Sequence, residues 1–211
     1  MSENETGPGA ARLPRWQTLS VERGEDYGLF RVERLARVSP RTGHVGQYKV
    51  LRIASWANVV ALTPDREVVL IEQYRHGIDD LTLEIPGGVV EPGEDPLLGA
   101  ARELREETGY AGDEPILIGK VHPNPAIQDN VCYTYLIENA RLVGELQLDP
   151  GEHIAVRTVP LEAVPRLLRE GLITHSLVVA AFHWLDLRFA EGAPPGEADG
   201  GPTAGGAAGE G

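Results

Sequence analysis

The sequence holds a single cysteine and a single methionine, few aromatic residues and no run of basic ones. One cysteine, Cys132, permits neither an intrachain disulfide nor a cysteine-based zinc site. It lies in the apolar stretch Asn130–Ile137 and reads as a buried strand residue. No apolar run approaches the ~18 residues that cross a bilayer. The opening Met-Ser-Glu-Asn-Glu lacks the positive flank and apolar core of a secretion signal. The expected compartment is therefore the cytoplasm, without a membrane partner. With 19 basic against 32 acidic residues the formal net charge is -13. Nucleic acid is an unsuitable partner, since phosphate contacts need a basic patch. A chain this acidic meets an anionic substrate through bound cations instead.

What is present is an ordinary globular composition, 42% hydrophobic and 24% charged, over 211 residues. Residues 1–14 are polar with Gly and Pro, and are expected to be loose. Residues 191–211 are mostly Gly, Ala, Pro and acid, too poor in apolar side chains to offset ordering entropy, so a disordered tail is expected. Between them strand and helix signals alternate. Tyr27–Val38 and Gly46–Ile53 read as strands joined by a turn at Ser39–Gly43. Asn58–Leu62 and Glu67–Tyr74 read as a second pair around Thr63–Arg66. Leu81–Ile85, Ile116–Val121, Val131–Glu138 and Ile154–Val159 are further strands. Helices are predicted over Pro96–Thr108, Leu161–Glu170 and Ser176–Phe189. A mixed sheet flanked by helices follows, an α/β (α+β) layered domain.

The informative stretch runs from Gly88 to Tyr110, GVVEPGEDPLLGAARELREETGY. Asp95 suits the N-cap of its helix, Pro96 the first helical position and Gly109 the residue beyond the end. Glu103, Glu106 and Glu107 stand at i, i+3 and i+4, one narrow carboxylate stripe beside the apolar stripe Leu97, Ala100, Ala101 and Leu104. Like charges at this spacing weaken a helix. A hard divalent cation with oxygen ligands offsets the repulsion, and Arg102 and Arg105 neutralise part of it. Taken alone, Arg-Glu-Leu-Arg-Glu-Glu would be a solvated face of mixed charge. The complete spacing overturns that reading: Gly, five residues, Glu, seven residues, then Arg-Glu-apolar-any-Glu-Glu-any-Gly.

That pattern resembles the Nudix box with no fixed position missing, Tyr110 replacing the usual aliphatic at the end. The resemblance implies an α/β/α sandwich with a strand–loop–helix at its site and metal-assisted hydrolysis of a phosphoanhydride. It makes Glu103 and Glu107 the main metal ligands and Glu106 a ligand or bridge to a second metal. The Gly87 carbonyl becomes an additional ligand, Arg102 the orienting cation, Glu94 a support and Gly88 the turn former. The implied cofactor is Mg2+, with Mn2+ as an alternative.

Beyond the box, Gln73-Tyr74-Arg75, Leu83–Gly88 and Pro125 resemble the ADP-ribose pyrophosphatase and nucleotide-sugar hydrolase branch. A small N-terminal antiparallel sheet, here 15–53, would then precede the hydrolase domain at 54–190. By position Arg75 corresponds to a phosphate-contacting arginine and Glu84 to a substrate-side glutamate. The general base would come from the loop Asp149–Ile154. Glu152 matches best and Asp149 is the alternative, because a further acidic position of relatives falls on Pro150. Trp16 and Trp56 are read either as core or as base-stacking aromatics, with Trp16 taken as substrate-binding. The histidines His44, His76, His122, His153, His175 and His183 show no metal-ligand spacing and read as surface or capping residues. The branch implies a nucleoside diphosphate sugar as substrate and a homodimer as assembly. The alternatives are a GDP-mannose or other dinucleotide hydrolase on the same scaffold, and a non-catalytic binding module of the same fold.

Overall fold

The structure, a computed structural model, describes residues 13–190. The expected loose leader, apart from Leu13 and Pro14, and the expected tail lie outside the described residues. The chain divides into two compact units, the first comprising residues up to 54 together with 124–130.

In the first unit β1 (Gln17–Asp26), β2 (Phe30–Val38) and β3 (Val45–Ile53) form an antiparallel sheet in that order. β2 and β3 are the two strands predicted. β1 went unanticipated: only Thr18–Glu22 alternates polar with apolar, the rest of the strand is polar, charged or Gly, all ten residues are exposed, and two register shifts break its pairing with β2. The 124–130 segment is tied to β3. Leu51 N donates to Ile127 O at 2.7 Å, and Arg52 reaches Asp129 at 2.8 Å. Arg52 also reaches Glu33 at 2.7 Å, and this hydrogen bond holds the buried Glu33 carboxyl below the usual carboxylate range against the cost of burial.

The second unit, residues 55–123 and 131–190 of the described chain, contains β4 (Trp56–Ala61), β5 (Glu67–Arg75), β6 (Asp80–Glu84), β7 (Gly87–Val89) and α1 (Pro96–Thr108). Then follow β8 (Tyr110–Ala111), β9 (Ile116–Val121), β10 (Cys132–Ile137), β11 (Arg141–Leu142), β12 (Ile154–Pro160), α2 (Val164–Arg169) and α3 (Ser176–Ala190). Its sheets are ordered β7-β4-β10-β9, β12-β5-β6 and β11-β8, with β4 and β10 parallel and the other pairs antiparallel.

Alternation along the strands builds the layers. Ala57, Val59 and Ala61 of β4 pack with Val69, Tyr135, Ile137 and α1 residues Ala100 and Leu104. Val60 and Leu62 turn the other way, to Val68, Leu70, Leu136 and the α2–α3 residues Leu167, Phe182 and Leu185. This is the expected α/β/α sandwich.

Two expectations need correction. β4 and β5 are not a hairpin pair. The Thr63–Arg66 turn closes, with Arg66 N donating to Thr63 O at 2.9 Å, yet the chain around it forms only the isolated Leu62–Val68 bridge and the two strands enter different sheets. Both are apolar on both faces, so each takes an interior position with partners on either side. The predicted helix Leu161–Glu170 opens as a 3-10 turn, Leu161–Ala163, before α2. Pro165 has no N–H to return to the Leu161 carbonyl, and Val164 donates there instead.

Cys132 is buried as expected, and burial pushes its thiol up to about 12. Among the described residues no helix is long and apolar enough to cross a membrane.

Candidate active site

The site is assembled on β7 and α1. Asp95 caps the helix, its side chain accepting from Leu97 N at 3.0 Å; Pro96 follows in the first turn, and Gly109 ends it at φ 74 with its N–H on Arg105 O. Leu104, fully buried, presses the helix onto β4, and that contact turns the carboxylate stripe toward β7.

Gly88 explains why the strand before the loop carries glycine. A Cβ there would lie 2.4 Å from Glu103 Oε1, so the carboxylate rests directly on the backbone. Gly87 is confined from the other side, its would-be Cβ 2.5 Å from Ala57 O, and its N–H donates to Glu107 Oε2 at 2.8 Å. Glu107 is only 4% exposed. Burial, with the charges of Glu103 and Glu152 added, raises its pKa to about 8 against the Gly87 hydrogen bond. Burial raises the Glu103 carboxyl too, with Arg102 opposing.

Arg102 binds the acids together. Its guanidinium donates to Glu94 at 2.9 and 3.1 Å, to Glu103 at 2.9 Å, to Glu106 at 3.0 Å and to the Val89 carbonyl at 3.1 Å. Glu94 also accepts from Glu91 N at 2.9 Å, which ties the loop to the helix. Arg102 thus contacts Glu94, Glu103 and Glu106 at once.

The residues fit a divalent cation. Two crowded carboxylates with raised proton affinity, a third one turn along and a neighbouring backbone carbonyl make an all-oxygen donor set of the kind magnesium takes. Among the described residues no three acidic, His or Cys side chains are already gathered into a cage; Arg102 is the cation that neutralises them here.

The other predicted residues divide in two. Arg75 and Glu84 form a bidentate pair, Nε to Oε1 at 2.7 Å and Nη2 to Oε2 at 2.6 Å, with Thr82 Oγ1 donating to Oε1 at 2.5 Å. Burial opposes the Glu84 charge, but the Arg75 fork and the Thr82 hydroxyl outweigh it and hold the carboxyl below its ordinary value. Arg75 also lies close enough to Glu107 for their charges to interact. Glu152 is exposed, accepts from Asp149 N at 2.9 Å, and acts electrostatically on both Glu103 and Glu107. Trp16 belongs to the first unit, 45% exposed, with Tyr48 packed edge-on at 5.6 Å. Trp56 is half-buried at the start of β4. Thr82 and His175 carried no mark in the sequence: neither stands at a recognisable spacing from the box.

A layered α/β/α domain with a carboxylate-lined strand–loop–helix defines a phosphoanhydride hydrolase. The chain belongs to the Nudix family, matching the NUDIX domain over residues 54–182. It is 28% identical over 149 residues to an ADP-ribose pyrophosphatase of Bacillus subtilis (strain 168), covering 70% of this chain and 80% of that protein. A methanol dehydrogenase activator of Bacillus methanolicus is 29% identical over the same length and shares. The crystal structure of an ADP compounds hydrolase matches with a TM-score of 0.76 at 22% identity, covering 87% of this chain and 99% of that one. The protein is accordingly a Nudix hydrolase acting on phosphorus-containing anhydrides, of the ADP-ribose pyrophosphatase-like kind, and enzymes of this family generally use divalent metal ions.

Proposed function

We propose that the enzyme hydrolyses the diphosphate of ADP-ribose or a closely related nucleoside diphosphate sugar, with magnesium as its ion, giving a nucleoside monophosphate and a sugar phosphate. The observation that carries the reading is the Glu103 carboxylate seated on Gly88 beside a Glu107 anchored by Gly87 N–H. Glu103, Glu107 and Glu106 would hold the metal with the Gly87 carbonyl. When bound, the ion polarises a phosphoryl oxygen and lowers the pKa of a water.

The chain's own residues do the rest. Arg102 keeps the acids in one orientation. Glu152, within electrostatic reach of Glu103 and Glu107, takes the proton of the attacking water. Arg75 is held by Glu84 through Nε and Nη2, which leaves Nη1 for a substrate phosphate oxygen. Trp16 offers an exposed aromatic face to the base.

A homodimer is proposed for the assembly. The first unit exposes Leu19, Val21, Val45 and Tyr48 on its three-stranded sheet and Trp16 just before it, apolar side chains that a second copy would cover. Cytoplasmic residence is part of the same reading.

The test is a substrate panel with magnesium: ADP-ribose, GDP-mannose, UDP-glucose, NADH and diadenosine polyphosphates, reading phosphate released after phosphatase coupling. ADP-ribose is expected to have the highest kcat/KM. A preference for GDP-mannose moves the substrate within the class, and no turnover of any compound refutes the proposal.

A further inference from the structure

Among the described residues, the imidazole of His175 lies within electrostatic reach of the Arg75–Glu84 pair and has no assigned task. His175 stands immediately before α3, and its carbonyl accepts from Val178 N at 3.0 Å and Val179 N at 3.1 Å, which fixes its backbone at the helix entry. Its side chain is half-buried. Nδ1 is sealed from solvent and has no hydrogen-bond partner among the described residues. Nε2 makes no hydrogen bond to the described residues either and, unlike Nδ1, is not sealed.

Burial lowers the pKa of the ring, and the charges of Glu84 and Arg75 both reach it. The imidazole is therefore neutral at neutral pH. Glu84 is 3% exposed and accepts from Arg75 and Thr82, with no hydrogen bond to the ring among the described residues. An accessible, unpaired Nε2 at the edge of a buried ion pair is a hydrogen-bonding position left for something outside the protein. Arg75, with Nη1 free, suits the anionic part of a ligand. A neutral imidazole beside a carboxylate suits an uncharged hydroxyl.

We propose that His175 is a substrate-binding residue whose Nε2 hydrogen-bonds a hydroxyl of the sugar attached to the diphosphate, next to the phosphate held by Arg75. The assignment rests on the reading of the substrate as a nucleoside diphosphate sugar, and it goes further by naming the residue that distinguishes a sugar from a bare diphosphate.

The test uses H175A, H175Q and H175N in the full chain, with ADP-ribose and with the methyl ester of ADP, which keeps the diphosphate ester and lacks the second sugar. H175A is expected to raise KM for ADP-ribose about five- to tenfold, the size of one hydrogen bond, with kcat little changed and the methyl ester unaffected. H175Q, whose amide reaches the Nε2 position, restores most of the loss, and H175N does not. Equal losses on both substrates, or equal rescue by the two amides, overturn the hydroxyl contact. Thermal-shift titration with ribose 5-phosphate against methyl phosphate reads the same contact without turnover. If wild-type protein hydrolyses no nucleotide sugar, the proposed function fails on its own. In that case the His175 contact is judged by ribose 5-phosphate binding alone, and it fails if H175A leaves that binding unchanged.

Discussion

Glu107 is under two opposing demands: Leu104 and the sheet draw it into the interior, while its chemistry requires a charge. Its folded pKa of about 8 stands above the roughly 4.3 of an unfolded glutamate, so the folded chain holds this proton more tightly across that interval. The stability it contributes is complete below about pH 4 and is lost as the pH rises through 8. In EDTA the melting temperature of the wild-type protein should therefore fall, relative to E107Q, between pH 5 and 8.5. The variant difference isolates this group from the depressed acids Glu33, Glu84 and Glu94, which lose their contribution in acid. Parallel profiles for the two proteins would contradict the buried-charge account. The base assignment has its own check. E152Q should lower kcat far more than it changes KM, and D149N should do little; the reverse pattern moves the role to Asp149. Of these residues, the box acids were legible because one helix fixes their geometry. Arg75–Glu84 was legible only as two positions. Their ion pair depends on the β5–β6 register, which sets Arg75 opposite Asp80 and Glu84 opposite Ile71, so that the long Arg75 side chain must reach back along the strand pair; no local signal in the sequence specifies that.

α1 illustrates how far element signals reach. Its ends, Pro96 and Thr108, coincide with the sequence expectation because Asp95, Pro96 and Gly109 are local punctuation. β4 and β5 illustrate the limit: the turn between them was read correctly, but which sheet each strand joins is decided by burial on both faces. β1 gave only a short signal, the alternation Thr18–Glu22, because the rest of this fully exposed strand is polar, charged or Gly. Two substitutions separate what α1 does for stability from what it does for the site. L104A removes a fully buried side chain and should cost about 2–5 kcal/mol in denaturant unfolding. G88A should leave stability closer to wild type but strongly reduce turnover, because a Cβ 2.4 Å from Glu103 Oε1 must displace the carboxylate. Wild-type kcat in G88A would show that Glu103 does not need this seat.

The whole molecule presents an acidic chain with an apolar, exposed N-terminal sheet and a hydrolase domain carrying its own core. Light scattering is expected to give a dimer mass, and removal of residues 1–53 should weaken dimerisation and raise KM together. A fully active monomer of the intact chain would refute the dimer. The most direct test of the central claim, that the carboxylates of α1 support a metal-assisted attack on a phosphoanhydride, is the rate of AMP formation from ADP-ribose at limiting magnesium by wild type, E103Q and E107Q. The account predicts steady AMP release by wild type that EDTA abolishes. It predicts a loss on the order of 10²–10⁴ in E107Q, with a comparable or milder loss in E103Q and both variants folded. Near-wild-type rates in both variants would contradict it.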